Sequence, residues 1–130
     1  MLTIVAIDDD PTTLLIFRHM LRAHFNVESA ATAMEGIALG AELKPCLFLI
    51  DLHLPYINGL QAVEIIRSTP GIHETPILIV TANASTTAKE DLLAAGVDQM
   101  IVKPFTAQSL LETVTKVVQS SNQSHAAAVS

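Results

Sequence analysis

The sequence predicts a doubly wound α/β domain, a five-stranded parallel sheet in the order 2-1-3-4-5 with helices on both faces. Three observations carry this expectation. Five short apolar runs alternate with five longer stretches of helical spacing along the 130 residues, and no internal repeat interrupts them, which is the pattern of consecutive βαβ units. The first, third and fourth runs are continuously apolar, as strands covered on both faces must be, whereas the second and fifth are shorter or more polar and belong at the edges. The chain is 50% hydrophobic and only 15% charged, well under the usual quarter, which suits elements buried on more than one side.

The first strand runs from Thr3 to Ile7. Asp10-Pro11 then reads as an N-cap with proline at the first helical position, and Leu14, Phe17 and Leu21 fall on one face of the helix that follows. The second strand spans Val27 to Ala30. Thr32 and Glu35 have capping-box spacing, and they open a helix with a small inner stripe of Ala33, Gly36, Ile37, Gly40 and Ala41. A third strand over Cys46 to Ile50 leads to a helix from Gly59 to Ser68, with Val63 and Ile66 inward, which stops before Pro70-Gly71. The fourth strand, Ile77 to Val80, precedes a helix over Ser85 to Ala95 that ends at Gly96. The fifth strand, Gln99 to Val102, leads into a last helix over Thr106 to Gln119, with an apolar stripe of Leu110, Leu111, Val114, Val117 and Val118. Residues 1–119 then form the domain, and 120–130, small and polar, are expected to be a flexible tail or the start of a linker.

Composition removes several function classes. Thirteen acidic against seven basic residues give a net charge of -6, which leaves no basic face for a phosphate backbone, so direct nucleic-acid binding is not expected. The single Cys46 has no cysteine partner for a disulfide or a CxxC metal site, and it reads as a buried small hydrophobe. No apolar run approaches the roughly 20 residues of a membrane span. The N-terminus has no basic region ahead of its short apolar stretch, so a cytoplasmic protein that does not bind membranes is expected.

In an open α/β sheet, ligands bind beyond the carboxyl ends of the strands where the winding switches, here between strands one and three. This sequence puts acids at those ends: Asp8 and Asp9 after the first strand, Asp51 after the third. Two carboxylates roughly 5 Å apart repel by about 3 kcal/mol at an effective dielectric near 20, so the trio calls for a cation. Carboxylates with positions left over for water and a phosphate oxygen suit Mg²⁺. Taken singly, Asp8 and Asp9 fit solvated loop acids or caps and Asp51 a turn acid; Asp10, placed before Pro11, is the N-cap. Strand four ends in Thr81-Ala82 and strand five in Lys103-Pro104-Phe105, so a hydroxyl and an ammonium reach the same edge. There is no P-loop and no GxGxxG, and the five histidines are scattered.

These residues, in this order, resemble the receiver domain of two-component response regulators, and the resemblance covers Leu2 to Gln119. It rests on Ile7-Asp8-Asp9, on Leu49-Ile50-Asp51 followed by Leu54-Pro55 and Asn58-Gly59, on Val80-Thr81-Ala82 and on Lys103-Pro104-Phe105. Each motif is weak alone; the combination at four strand ends is specific. The resemblance implies a flavodoxin-like sheet and a phosphoacceptor role for Asp51, which would take its phosphoryl group from a histidine kinase or phosphotransfer protein. By the same likeness, Asp8, Asp9, Asp51 and the backbone carbonyl of His53 would position Mg²⁺. Lys103 would pair with the carboxylate and later with a phosphoryl oxygen, Thr81 with Ala82 beside it would meet the phosphoryl group, and Lys103-Pro104 would be cis. The aspartyl phosphate's lifetime would be tuned by His53 and Asn83, which flank the path of water. The signal would leave through the face of the fourth helix, strand five and the last helix toward a downstream effector. Such a protein is not an enzyme toward external substrates; it catalyses only its own phosphorylation and dephosphorylation.

Met100 departs from the family, which usually has an aromatic at this switch position, and a flexible thioether specifies two discrete positions less sharply. Two other readings compete. Asp8-Asp9-Asp10-Pro11-Thr12 also fits the DxDxT opening of haloacid-dehalogenase-like phosphatases, with Asp8 as nucleophile, although no later acidic pair and no cap segment follow. A folded receiver that is never phosphorylated is the other.

Overall fold

The computed structural model describes residues 1–82 and 86–129. In chain order it contains β1 (Thr3–Ile7), α1 (Pro11–Leu21), β2 (Asn26–Ala30), α2 (Ala33–Leu43), β3 (Leu47–Asp51), α3 (Gly59–Arg67), β4 (Ile77–Thr81), α4 (Thr86–Ala95), β5 (Gln99–Val102) and α5 (Ala107–Val129). The five strands form one parallel sheet in the order β2-β1-β3-β4-β5, so the predicted topology holds, and the continuously apolar runs occupy its centre.

Side chains on a strand alternate between faces, and two cores result. Val5, Ile7, Phe48, Ile50, Ile77 and Ile79 pack with residues of α2, α3 and α4, including Ala33, Ile37, Ala62, Val63, Ile66 and Leu92. On the other face, Ile4, Ala6, Leu47, Leu49, Leu78 and Val80 meet α1 and α5 through Phe17, Leu21, Leu110, Val114, Val117 and Val118. Full burial of each such branched or aromatic side chain contributes about 1.5–3 kcal/mol, so the layers on both sides hold the sheet.

Several boundaries differ from the sequence expectation. β3 begins at Leu47, not Cys46, and Cys46 is only partly buried, packing at the margin of the second core. The Cys46 N–H nevertheless bonds the Thr3 carbonyl at 2.8 Å, which extends the β1–β3 pairing by one contact. β2 starts one residue early, at Asn26, while β3 and β4 each run one residue further, to Asp51 and Thr81. Ala41 is exposed although it was placed on the inner stripe of α2; at about 100° per residue it lies a quarter turn from the centre of that stripe. Thr32 caps α2 by accepting from the Glu35 N–H, but the Glu35 carboxylate reaches the Ala31 N–H rather than that of Thr32. The last helix does not stop at Gln119. It continues to Val129, because residues 107–129 contain neither proline nor glycine to end it. Ser85, the expected start of α4, lies outside the described residues.

At the amino ends of the strands, opposite the acidic edge, one side chain ties three segments together. Arg67, the last residue of α3, donates from Nε and Nη2 to the Gly96 carbonyl at 3.1 and 2.8 Å. Its Nη1 reaches the carbonyls of His73 at 3.0 Å and Thr75 at 2.7 Å, and its Nη2 pairs with Asp98 Oδ2 at 3.1 Å. The same Asp98 oxygen accepts the Ile77 N–H at 2.8 Å, at the first residue of β4.

Candidate functional site

The strand register assembles the site. Ile7 pairs with Ile50, Asp51 with Val80, and Thr81 with Val102. The next residues of β1, β3, β4 and β5 therefore bring Asp8, Asp51, Thr81 and Lys103 to one edge of the sheet. Backbone bonds hold this edge: Asp8 N–H to the Ala30 carbonyl at 3.1 Å, Leu52 N–H to Val80 at 3.0 Å, and Lys103 N–H to Thr81 at 2.8 Å. Asp8, Asp51 and Thr81 are buried, Asp9 and Ala82 are exposed, and Lys103 is partly buried.

One carboxylate oxygen each from Asp8, Asp9 and Asp51 lies within 4.8 Å of the others. Asp8 Oδ1 accepts the Asp10 N–H at 2.9 Å, whereas the buried Asp8 Oδ2 has no hydrogen-bond partner among the described residues. Lys103 Nζ stands 3.9 Å from that oxygen, close enough for charge attraction and too far for a hydrogen bond. Burial pushes the Asp8 carboxyl above its ordinary value, and the charges of Asp51 and Asp9 push the same way; the Asp10 N–H and Lys103 oppose them. A buried acid with an orphaned oxygen, flanked by two more acids, fits a hard divalent cation that takes oxygen ligands and keeps part of its water.

The remaining expected residues fall into place unevenly. Asp10 is the N-cap of α1, accepting from the Thr12 N–H at 2.9 Å, and takes no part in the carboxylate trio. The His53 N–H donates to Asp51 Oδ1 at 3.3 Å, and its side chain is exposed. Asn83 lies outside the described residues. Met100 is half-buried against the α2–α4 layer. Strand alternation puts Thr81 on that same face, since Ile77 and Ile79 point there. Lys103-Pro104 is cis.

Two features at the site were not read from the sequence. Asn58 and Gln61 form a full reciprocal capping box at the start of α3, each side chain accepting the other's backbone N–H at 2.9–3.0 Å; the Asn-x-x-Gln spacing carries that signal. The loop that leads there passes through Tyr56, which is 95% exposed and has φ 66°. No glycine or asparagine marks that left-handed position, so nothing in the sequence announces it.

The model of the family described as the response regulator receiver domain matches residues 4–115. Among curated proteins, the signal transduction histidine-protein kinase BarA of Escherichia coli K12 is 30% identical over 110 residues, which make up 84% of this chain but 12% of BarA. The chain thus spans a small part of that relative. Among solved structures, the chemotaxis protein CheY4 of Vibrio cholerae superposes with a TM-score of 0.86 at 30% identity, covering 90% of this chain and 98% of that one. The receiver domain of the sensor histidine kinase PA1611 from Pseudomonas aeruginosa PAO1, solved with a magnesium ion coordinated in its active-site cleft, gives 0.83 at 25% identity over 91% of this chain and 98% of the other. Among the described residues no helix is long and apolar enough to cross a membrane. With the sheet order, the acidic edge and the matched span in agreement, the chain belongs to the receiver domains of two-component response regulators.

Proposed function

We propose that Asp51 is the phosphoacceptor of a two-component phosphorelay, receiving its phosphoryl group from a histidine kinase or phosphotransfer protein. The observation that carries this is the carboxylate trio with the orphaned Asp8 Oδ2, a charge excess that a bound divalent cation relieves. In the transfer, an oxygen of Asp51 attacks phosphorus in line, a new O–P bond forms, and the P–N bond to the donor imidazole breaks. Asp8, Asp9, Asp51 and the His53 backbone carbonyl are the groups to hold Mg²⁺; the PA1611 receiver domain was solved with a magnesium ion coordinated in its active-site cleft. Bound there, Mg²⁺ supplies neutralisation of the phosphoryl oxygens. Lys103 exchanges its contact with Asp8 for one to a phosphoryl oxygen, and the Thr81 hydroxyl, with Ala82 beside it at the mouth, donates to another. The protein's contribution is positioning and charge, with no covalent chemistry beyond the acceptor oxygen.

The signal then leaves through α4, β5 and α5, because Thr81 and Lys103 join that face to the phosphoryl site. Lys116 is the single lysine or arginine of α5, which leaves few charges to pair across a symmetric dimer and favours a different protein as effector. Residues 1–119 suffice for this role, carried out in the cytoplasm on proteins and not on nucleic acid or membranes. Acetyl phosphate with Mg²⁺ should add one phosphoryl group by intact mass, and Asp51→Asn or excess chelator should abolish it. Equal labelling of Asp51→Asn overturns the assignment.

A further inference from the structure

We infer that Gly59 is a positioning residue for phosphoryl transfer, acting through the main chain that follows the phosphoacceptor; the inference rests on Asp51 being that acceptor. Four of the five glycines face side chains: Gly36 meets Ile7, Gly40 meets Phe48, and Gly71 and Gly96 meet the long side chains of Lys44 and Arg67. Gly59 alone faces backbone. A Cβ there would stand 2.7 Å from Leu52 Cα, 2.8 Å from the Asp51 carbonyl oxygen and 3.0 Å from that of Leu52. A side chain can rotate away from such a contact, whereas a strand end fixed by its neighbours cannot.

Gly59 is not there for its backbone freedom, since positive φ among the glycines occurs only at Gly71 and Gly96. Nor is glycine chosen for helix propensity, being a poor helix former. What remains is proximity. The Gly59 N–H donates to the Leu52 carbonyl at 2.9 Å, which closes the loop on itself, and the Asn58–Gln61 capping box fixes the first turn of α3 directly beside it. The start of α3 is thus a stop against which the Asp51–Leu52 peptide rests. The same peptide leads to His53, whose N–H bonds Asp51 Oδ1. Moving it moves the acceptor carboxylate and the His53 backbone together, relative to Asp8 just beyond β1, whose N–H is tied to the Ala30 carbonyl.

Ordinary contact begins at about 3.4 Å, so an alanine Cβ at 2.7 Å forces about 0.7 Å of displacement between the start of α3 and the Asp51–Leu52 peptide, and either way the capped helix start no longer seats the peptide where it was. Misplacement approaching 1 Å costs of order 100-fold in a positioned reaction. The test labels the full chain with acetyl phosphate and MgCl₂ and measures Mg²⁺ affinity by calorimetry, comparing Gly59→Ala with Gly40→Ala. The latter overpacks the core against the Phe48 ring, with a Cβ-to-Cε1 approach of 2.6 Å, but leaves the acceptor's main chain alone. Both are assayed at a temperature where circular dichroism shows them folded.

Gly59→Ala should label at least tenfold more slowly at saturating Mg²⁺ and bind Mg²⁺ more weakly, while Gly40→Ala stays within twofold of wild type on both counts. Labelling of Gly59→Ala within twofold of wild type, or equal slowing of both variants, overturns the inference. If Gly59→Ala does not fold, the Asn58→Ala/Gln61→Ala pair loosens the same stop without overpacking, and a rate within twofold of wild type overturns it equally. If the wild type takes no label, the phosphoacceptor assignment fails by itself. Mg²⁺ affinity then decides for Gly59, and an unchanged value in Gly59→Ala overturns its role.

Discussion

Removing the Arg67 guanidinium should be the most destabilising single change outside the two cores. It donates five hydrogen bonds to four oxygens, those of Gly96, His73, Thr75 and Asp98. Bonds from a charged donor contribute about 1.5–3 kcal/mol each, but a simple sum overshoots, because water replaces the donor wherever the acceptor is exposed. The bonds to His73 and Asp98 are of that exposed kind, and the Asp98 side chain is 42% exposed. The bonds to Gly96 and Thr75 are partly buried, and their loss sets the cost of Arg67→Ala at about 3–5 kcal/mol. Against a total stability of about 5–15 kcal/mol, this is about a fifth or more of what holds the fold. With a urea slope of about 1.5 kcal/mol/M, the midpoint should fall by about 2–3 M. Arg67→Lys keeps the charge but lacks the planar fork, and should recover less than half of the loss. Equilibrium urea titration followed by far-ultraviolet circular dichroism measures all three proteins. A midpoint for Arg67→Ala within about 0.5 M of wild type would show that the clasp is ornamental and that solvent satisfies these carbonyls equally well.

The Asp8 carboxyl is raised above its ordinary 3.8 in the folded protein, so the folded state binds more protons. Its stability without metal must then fall as pH rises from about 3.8 through the raised value. Asp8→Asn should flatten that slope, raise the metal-free melting point at pH 7 and abolish stabilisation by Mg²⁺; parallel pH profiles for the two proteins in chelator would contradict this. Burial pushes the Cys46 thiol from 9.0 up to about 11, which cuts the thiolate fraction at pH 8 about 100-fold. Reaction with a disulfide reagent should accelerate by about tenfold or more in urea, since the greater nucleophilicity of the more basic thiolate offsets part of that factor, and the thiol's contribution to stability should be lost as pH rises from 9.0 toward 11; equal native and unfolded rates would refute the burial argument. After loading and removal of the donor, His53→Ala and Asn83→Ala should each change the decay of the aspartyl phosphate by about tenfold. Decay constants within twofold across wild type and both variants would show that neither side chain governs the step.

Sequence periodicity reveals what is local or repeated. The apolar runs of β1, β3 and β4 announce a sheet buried on both sides, and the acids that follow β1 and β3 announce the site, because a strand's end and its next residue are one step apart. Interactions between distant segments leave no such trace. Arg67 looks like an ordinary basic residue at a helix end, and its partners Gly96 and Asp98 lie 29 and 31 positions away. The Lys103 contact with Asp8 likewise follows from sheet order and register, not from either residue's neighbours. The Gly59 contact was equally invisible, since it depends on how closely a helix start approaches a strand end. At α5 the small polar residues after Gln119 suggested an end, but a helix stops where something breaks or caps it, and nothing up to Val129 does.

The alternation of β1 between two cores also bears on which changes in chain length this domain tolerates. Inserting or deleting one residue between Thr3 and Ile7 would exchange the faces of Ile4 and Ala6 with those of Val5 and Ile7, so both layers would lose their fit at once. The same slip would turn Asp8 away from Asp51. Folding therefore screens out length variants in this strand before their chemistry is ever tried, and the spacing of the acids is protected by packing that has no contact with phosphate. Length variation is left to the loops, and the segment from Leu52 to Gly59 has little room for it, closed as it is by its own hydrogen bond.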